Sequence, residues 1–276
     1  PYQEDISNRI LIALLHNLNV KDIEDVKKLE LFELSIEISR QAGKTTAVVH
    51  TAEFIMTYVS ELYKKPISIG IFAPQIEQAR TDFERLKNAL RPVKDLIVQD
   101  DETSKSIKEQ ENAKTLVLPN GSSCWIAPVT TTSKPESKTF DLMIFEEAQD
   151  LDDKIVQQQI WPIGATTNAP RIYIGTAGTR LCYFRQLGLK PRAIKIYFEE
   201  ITKQRKVIYE QTGEIKHLMY EQTVRNEIEN APEGIESDEI QRPYFGKWLI
   251  GTGQFTTIEE MRKLEVDRSC TQSEKG

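Results

Sequence analysis

Cysteine is scarce in this sequence. The three cysteines, Cys124, Cys182 and Cys270, lie far apart and form no CxxC pair, which argues against a disulfide framework and against a zinc site. The three histidines, His16, His50 and His217, are equally scattered and read as packing or surface residues rather than metal ligands. Long hydrophobic runs are missing too. Candidates such as residues 10–15 are short and have polar flanks, so no bilayer-spanning helix is expected. No signal-peptide pattern is present, which points to an intracellular protein. The chain begins at Pro1 rather than Met, as a processed or cropped piece of a longer protein would. Internal repeats and low-complexity tracts are also absent.

What is present is ordinary for a soluble globular protein: 276 residues, 39% hydrophobic and 28% charged, enough for one large core or two smaller ones. The net charge of −6 is not that of a generic polyanion binder, so local distribution matters more. Residues 180–206 hold eight Lys/Arg against two Glu, and residues 227–239 hold six acids and no base. Each run reads either as a solvated face or, more sharply, as a DNA-facing basic strip and an acidic loop turned elsewhere.

Hydrophobic spacing gives the order of elements. Ile6, Ile10, Leu11, Leu14, Leu15 and Leu18 mark an amphipathic helix over 5–18. Leu34, Ile36 and Ile38 alternate with polar residues as a strand that stops at Ser39; residues 44–63 read as helix, 67–73 as strand and 75–90 as helix. This alternation builds a parallel sheet covered by helices. Residues 99–113 read as a polar loop. Residues 115–118 and 122–127 around Asn120-Gly121 signal a hairpin with a type I′ turn. Leu142 to Phe145 is an apolar run of the kind that forms a buried parallel strand. Residues 152–160 read as helix, 171–174 and 193–197 as strands, and 207–229 as helix in two pieces broken near Gly213.

Between the first strand and its helix stands SRQAGKTT, residues 39–46. Gly43-Lys44-Thr45 carries the chemistry of a Walker A loop. The glycine lets backbone N–H groups turn toward phosphates, Lys44 bridges β- and γ-phosphate oxygens, and Thr45 offers its hydroxyl to Mg²⁺. The following helix points its N-terminus at the anion. The usual first glycine of the loop is replaced by Ile38. A second motif, LMIFEE at 142–147, is an apolar strand ending in acids, as in a Walker B element. Glu146 is the candidate for holding Mg²⁺ and Glu147 for orienting or deprotonating the attacking water. Glu146 stands where Asp is usual. Together the motifs predict an α/β P-loop NTPase of the ASCE/RecA-like type: a central, mostly parallel β-sheet flanked by helices, with a β-hairpin insertion, binding ATP and Mg²⁺.

SRQAGKTT resembles the phosphate loop of the large terminase subunits of tailed bacteriophages, which typically replaces the first glycine and carries Arg-Gln inside the loop, as Arg40-Gln41 do here. The resemblance extends over most of the chain. PYQEDI is similar to the family's adenine-contacting segment, with Gln3 as the base-reading residue; IFAPQIEQA (71–79) to the strand and loop after the first βα unit; IFEEAQ (144–149) to its acidic motif; IGTAGT (174–179) to its coupling motif, with Thr176 as γ-phosphate sensor; and YFGKWLIGTGQF (244–255) to the stretch leading out of the ATPase domain. The resemblance implies nucleotide contacts from Gln3, Ser39, Arg40, Gln41, Ala42, Gly43, Lys44, Thr45, Thr46 and Thr176, with Thr45 and Glu146 at the metal. The family draws a positive residue from a neighbouring subunit, often just before the acidic motif. Lys134 and Lys138 stand there, and no Arg. A lysine cannot fork onto two oxygens as arginine does, so either Lys138 serves less effectively or the finger lies elsewhere, with Arg40 acting in cis or merely shaping the loop.

The resemblance further implies a DNA-packaging motor that drives double-stranded DNA into a procapsid in the host cytoplasm. It would work as a ring, expected to be a pentamer, with portal protein and small terminase subunit as partners and no membrane. Residues 1–243 are expected to form the ATPase domain and 244–276 a linker toward a nuclease domain that is missing, so no cutting activity is expected. The DNA surface is expected at the basic strip of 180–206 or at the polar loop around 130–138. Two other readings stay open: a superfamily 2 helicase or translocase, which would need a second recombinase-like half, and a weakly hydrolysing nucleotide-binding ring component.

Overall fold

The alternation at the start of the phosphate motif sets the architecture. In the computed structural model, which describes residues 1–18, 32–92, 115–130 and 138–249, Leu34, Ile36 and Ile38 form one buried face of β1 (Glu33–Ile38), while Ser35 and Glu37 are buried on the other. With β2 (Ser68–Ala73), β3 (Thr115–Val117), β4 (Ser123–Pro128), β5 (Leu142–Phe145), β6 (Arg171–Gly175) and β7 (Ile194–Ile196), it makes a seven-stranded sheet ordered β3-β4-β2-β5-β6-β1-β7. Every pairing is parallel except β3 with β4. One strand, β6, therefore separates the strand leading to GKT from the strand ending in Glu146-Glu147. Parallel strands covered on both faces read as near-continuous apolar runs, and β5 is buried at all four positions.

The two faces differ in chemistry. Ile36, Ile71, Ile144, Ile172 and Ile174 are fully buried on the aliphatic side with α1 (Tyr2–Asn17) and α2 (Lys44–Phe54), each side chain contributing roughly 1.5–3 kcal/mol. The opposite face is aromatic: Phe145 stacks between Phe72 (5.2 Å between ring centroids) and Tyr173 (4.5 Å). The remaining helices are α3 (Ser60–Tyr63), α4 (Ile76–Leu90), α5 (Asp153–Ile155), α6 (Tyr183–Gly188), α7 (Phe198–Thr212), α8 (Lys216–Asn230) and α9 (Asp238–Phe245). Cys124 is buried in the core, which pushes its thiol up to about 12, and burial likewise raises Cys182. No helix among the described residues is long and apolar enough to cross a membrane.

Several sequence expectations are corrected. The helix expected over 44–63 is a rod whose middle, Ile55–Val59, is a π-helical turn; such turns displace backbone carbonyls from regular pairing, and the Met56 carbonyl accepts from Asn120 Nδ2 at 2.9 Å. The hairpin is present and extends the sheet, since β4 pairs in parallel with β2. Its turn, however, is not type I′. Gly121 alone has positive φ (82°), and Leu118 accepts from the Gly121 N–H and donates to Ser122 O. Pro119 fixes a negative φ at the first central position, which selects a type I turn followed by a left-handed glycine. The stretch 152–160 is α-helical only over α5, then π-helical over Val156–Ile160. The helix α7 begins at Phe198, nine residues before the expected start, and α6 was not foreseen. The break between α7 and α8 falls at Gly213, with φ 70°. The expected loop at 99–113 lies outside the described residues.

Candidate functional site

The loop between β1 and α2 is held from three sides. Ile38, standing where the usual first glycine would be, is the last strand residue and is fully buried. The Ser39 N–H donates to Ile196 O and its hydroxyl to Tyr244 O (2.8 Å), and the Arg40 N–H donates to Pro243 O. Ala42 is fully buried; its carbonyl accepts from the Tyr2 hydroxyl at 2.6 Å and from Arg205 Nη2 at 3.4 Å. Gln3 Nε2 donates to Gly43 O at 3.1 Å. Gln41 and Gly43 both take left-handed backbone, φ 58° and 84°. The positive φ at Gly43 favours glycine, and a Cβ there would push aside the end of the Gln3 side chain, 2.5 Å away. Gly43 caps α2, whose N-terminus presents partial positive charge to the loop. Thr45 is half-buried and Thr46 exposed in its first turn.

Across the carboxyl edge of the sheet, β5 delivers Glu146 and Glu147. Glu146 is 2% exposed, and its N–H donates to Phe72 O. Glu147 has φ 46°, a conformation that costs a non-glycine residue about 1–3 kcal/mol and clusters at functional sites. Its carboxylate forms an ion pair and hydrogen bond with the Lys44 ammonium. Burial alone would push this carboxyl up. The Lys44 charge, hydrogen bonds from Gln149 and Lys44, and the Arg40 charge outweigh burial and hold it below the usual value. Lys44, Glu147 and Arg40 thus act on one another at one place.

Sequence reasoning missed the side chain beneath them. Gln149, 5% exposed, donates from Nε2 to Glu147 Oε2 (2.8 Å) and Asp150 Oδ2 (2.9 Å), and accepts at Oε1 from the Thr176 N–H (3.0 Å). Thr176, expected as a γ-phosphate sensor, reaches Glu147 through this amide. Tyr2 and Arg205 on the loop carbonyl were missed as well, because their partners lie 40 and 163 residues away.

Other expected residues are placed differently. Lys138 is exposed and precedes β5, so it lies toward the edge where strands begin, opposite Lys44 and Glu147 of its own chain. Lys134 lies outside the described residues. Five residues of the basic strip make contacts within the chain. Arg180 donates to the Gln149 and Leu151 carbonyls, Arg185 lies over the Trp248 ring, Lys190 approaches Glu33, Arg205 covers Tyr2 and the Tyr220 ring, and Lys206 pairs with Glu221. The boundary drawn at residue 243 falls inside α9. Tyr244 is buried in the main core, Trp248 Nε1 donates to Glu37 Oε2 (3.1 Å), and the Leu249 N–H donates to Gly178 O (3.2 Å). The chain is therefore integrated with the site through Leu249; residues 250–276 lie outside the described part.

No protein-family model matches the sequence, and no curated protein sequence does. Solved structures do. The large terminase ATPase domain of Thermus phage P74-26 superposes with a TM-score of 0.53 at 16% identity, covering 79% of this chain and 88% of that domain. The chain has the fold of a phage large-terminase ATPase domain. The large terminase of a second, thermophilic bacteriophage gives a TM-score of 0.51 at 13% identity, covering 87% of this chain and 53% of that one; the matched terminase fold thus spans about half of that longer chain. At such identities the likeness extends to fold, and the chemistry of this site rests on its own residues.

Proposed function

We propose that the chain is the ATP-hydrolysing motor domain of a viral large terminase, moving double-stranded DNA into a procapsid. The observation that carries this reading is the Lys44–Glu147 ion pair at the carboxyl edge of the sheet, where β1 and β5 flank β6. This pairs a lysine suited to binding phosphate with a glutamate suited to activating water, and ligands of open α/β sheets bind beyond the carboxyl ends of the strands.

Each group then has a role. Backbone N–H groups of residues 39–43 and the start of α2 cradle the phosphates. Lys44 leaves Glu147 for the β- and γ-phosphate oxygens, and this exchange frees the Glu147 carboxylate to orient and deprotonate water. Hydrolysis competence is thereby tied to nucleotide binding. The Thr45 hydroxyl and Glu146 are hard oxygen donors suited to Mg²⁺, which when bound neutralises charge on the phosphate oxygens. Gln3 reads the base and Thr176 the γ-phosphate. Arg40 stabilises the transition state in cis, and Lys138 serves a neighbouring copy in a ring, a pentamer on the capsid with portal protein and small terminase subunit, in the host cytoplasm.

A packaging motor must accept any sequence, so its grip is on phosphates. Linear duplex DNA should stimulate phosphate release regardless of sequence, with stimulation falling steeply between about 50 and 200 mM salt. Stimulation that is sequence-selective or insensitive to salt would overturn the packaging reading.

A further inference from the structure

The amide of Gln149 has one orientation that satisfies all its neighbours. Its NH₂ faces two carboxylates, Glu147 and Asp150, and its oxygen faces the Thr176 N–H. Reversal would set an acceptor against two acceptors and a donor against a donor. The side chain is also locked sterically. A Cβ at Gly175 would lie 2.2 Å from Gln149 Oε1, and one at Gly178 would lie 3.1 Å from Gln149 Cβ. Its backbone carbonyl is held by Arg180. A buried amide with its side-chain partners satisfied and this little room has a single rotamer, so it fixes whatever it touches.

We propose that Gln149 is a positioning residue for ATP hydrolysis: its NH₂ orients the Glu147 carboxylate toward the attacking water, and its oxygen ties that orientation to the Thr176 loop after β6. Two arms of one amide join the water-activating group to the γ-phosphate-sensing loop. A shift of Thr176 then turns the Glu147 carboxylate, and chemistry proceeds only when that loop is seated. This role rests on the ATPase reading above.

Two near-isosteric variants separate the arms. Gln149→Met removes both. Gln149→Glu keeps an acceptor for Thr176 but replaces the NH₂ with an oxygen that cannot donate to Glu147 when ionised. Both should lower kcat at least about tenfold, while the affinity for fluorescent ATP analogue with Mg²⁺ changes less than about threefold. In a Glu147→Gln background, Gln149→Met should add no further loss, because both act on one step. Hydrogen exchange at the Thr176 amide should speed up at least about tenfold in Gln149→Met and stay slow in Gln149→Glu. Unchanged kcat in Gln149→Met, additive losses in the double variant, or equal Thr176 exchange in all three proteins overturns the proposal. Failure of the wild-type protein to hydrolyse ATP while the exchange pattern holds would instead sink the ATPase reading, and the catalytic role with it, leaving the link a structural contact.

Discussion

Lys44 and Glu147 close on each other at the carboxyl edge of the sheet, each mostly shielded from solvent. The pair couples two motifs that neither strand alone would bring together. Replacing Lys44 by Met removes the proposed phosphate cation and strands the Glu147 carboxylate. Affinity for ATP should fall at least about tenfold, and unfolding stability should fall by about 1–2 kcal/mol. The Lys44→Met/Glu147→Gln double variant should regain most of the stability but none of the affinity. Equal denaturation midpoints for all three proteins would mean that the pair contributes nothing, as many ion pairs do not.

Gly175 is where the Thr176 loop leaves β6 directly against Gln149. A Cβ there would also meet Ala148 N and the Phe184 ring at 3.1 Å. Ala148 N is backbone and Phe184 a buried ring, and the Gln149 amide is held by three hydrogen bonds. Gly175→Ala should therefore cost roughly 1–3 kcal/mol of stability, read from chemical denaturation, and reduce turnover as well. Wild-type stability and turnover in this variant would show that Gln149 has more freedom than its three hydrogen bonds imply.

The β1–α2 loop and the acidic strand were readable because each is contiguous, and periodicity located β1, β2, β5 and α2. The rest depended on contacts between distant residues. Gln149 is two positions beyond Glu147, yet its meaning comes from Thr176, 27 residues on. Tyr2, Arg205 and Trp248 act on the loop or its strand from 40, 163 and 211 residues away, and no local spacing signals that. The short α6 lacks the length that makes a helical period visible. The hairpin turn was misread because Asn120-Gly121 was weighed without Pro119, whose fixed φ decides the turn type.

Trp248 connects the end of the described chain to the site. Its indole N–H donates to Glu37 on β1, and a Cβ at Gly178 would lie 2.9 Å from its ring. Glu37 also accepts from the Tyr197 hydroxyl at 2.7 Å. In a protein whose other tryptophans, Trp125 and Trp161, are replaced by Phe, Trp248 fluorescence should differ between the ATP-analogue and ADP complexes, since the Gly175–Gly178 segment abuts the ring. Identical spectra with both nucleotides would disconnect this segment from the site. Glu37→Leu should cost about 1 kcal/mol of stability by leaving two half-buried donors, Tyr197 and Trp248, without this partner, measurable by denaturant unfolding.

The most direct test is steady-state phosphate release by the wild-type protein and Glu147→Gln at saturating MgATP, with nucleotide binding measured on the same samples. With Glu147 activating water and Lys44 released to the phosphates, Glu147→Gln should bind ATP at least as tightly as wild type and turn over at least about 10²-fold more slowly. Equal turnover in the two proteins, or no hydrolysis by the wild type, would contradict the assignment of this site to ATP hydrolysis.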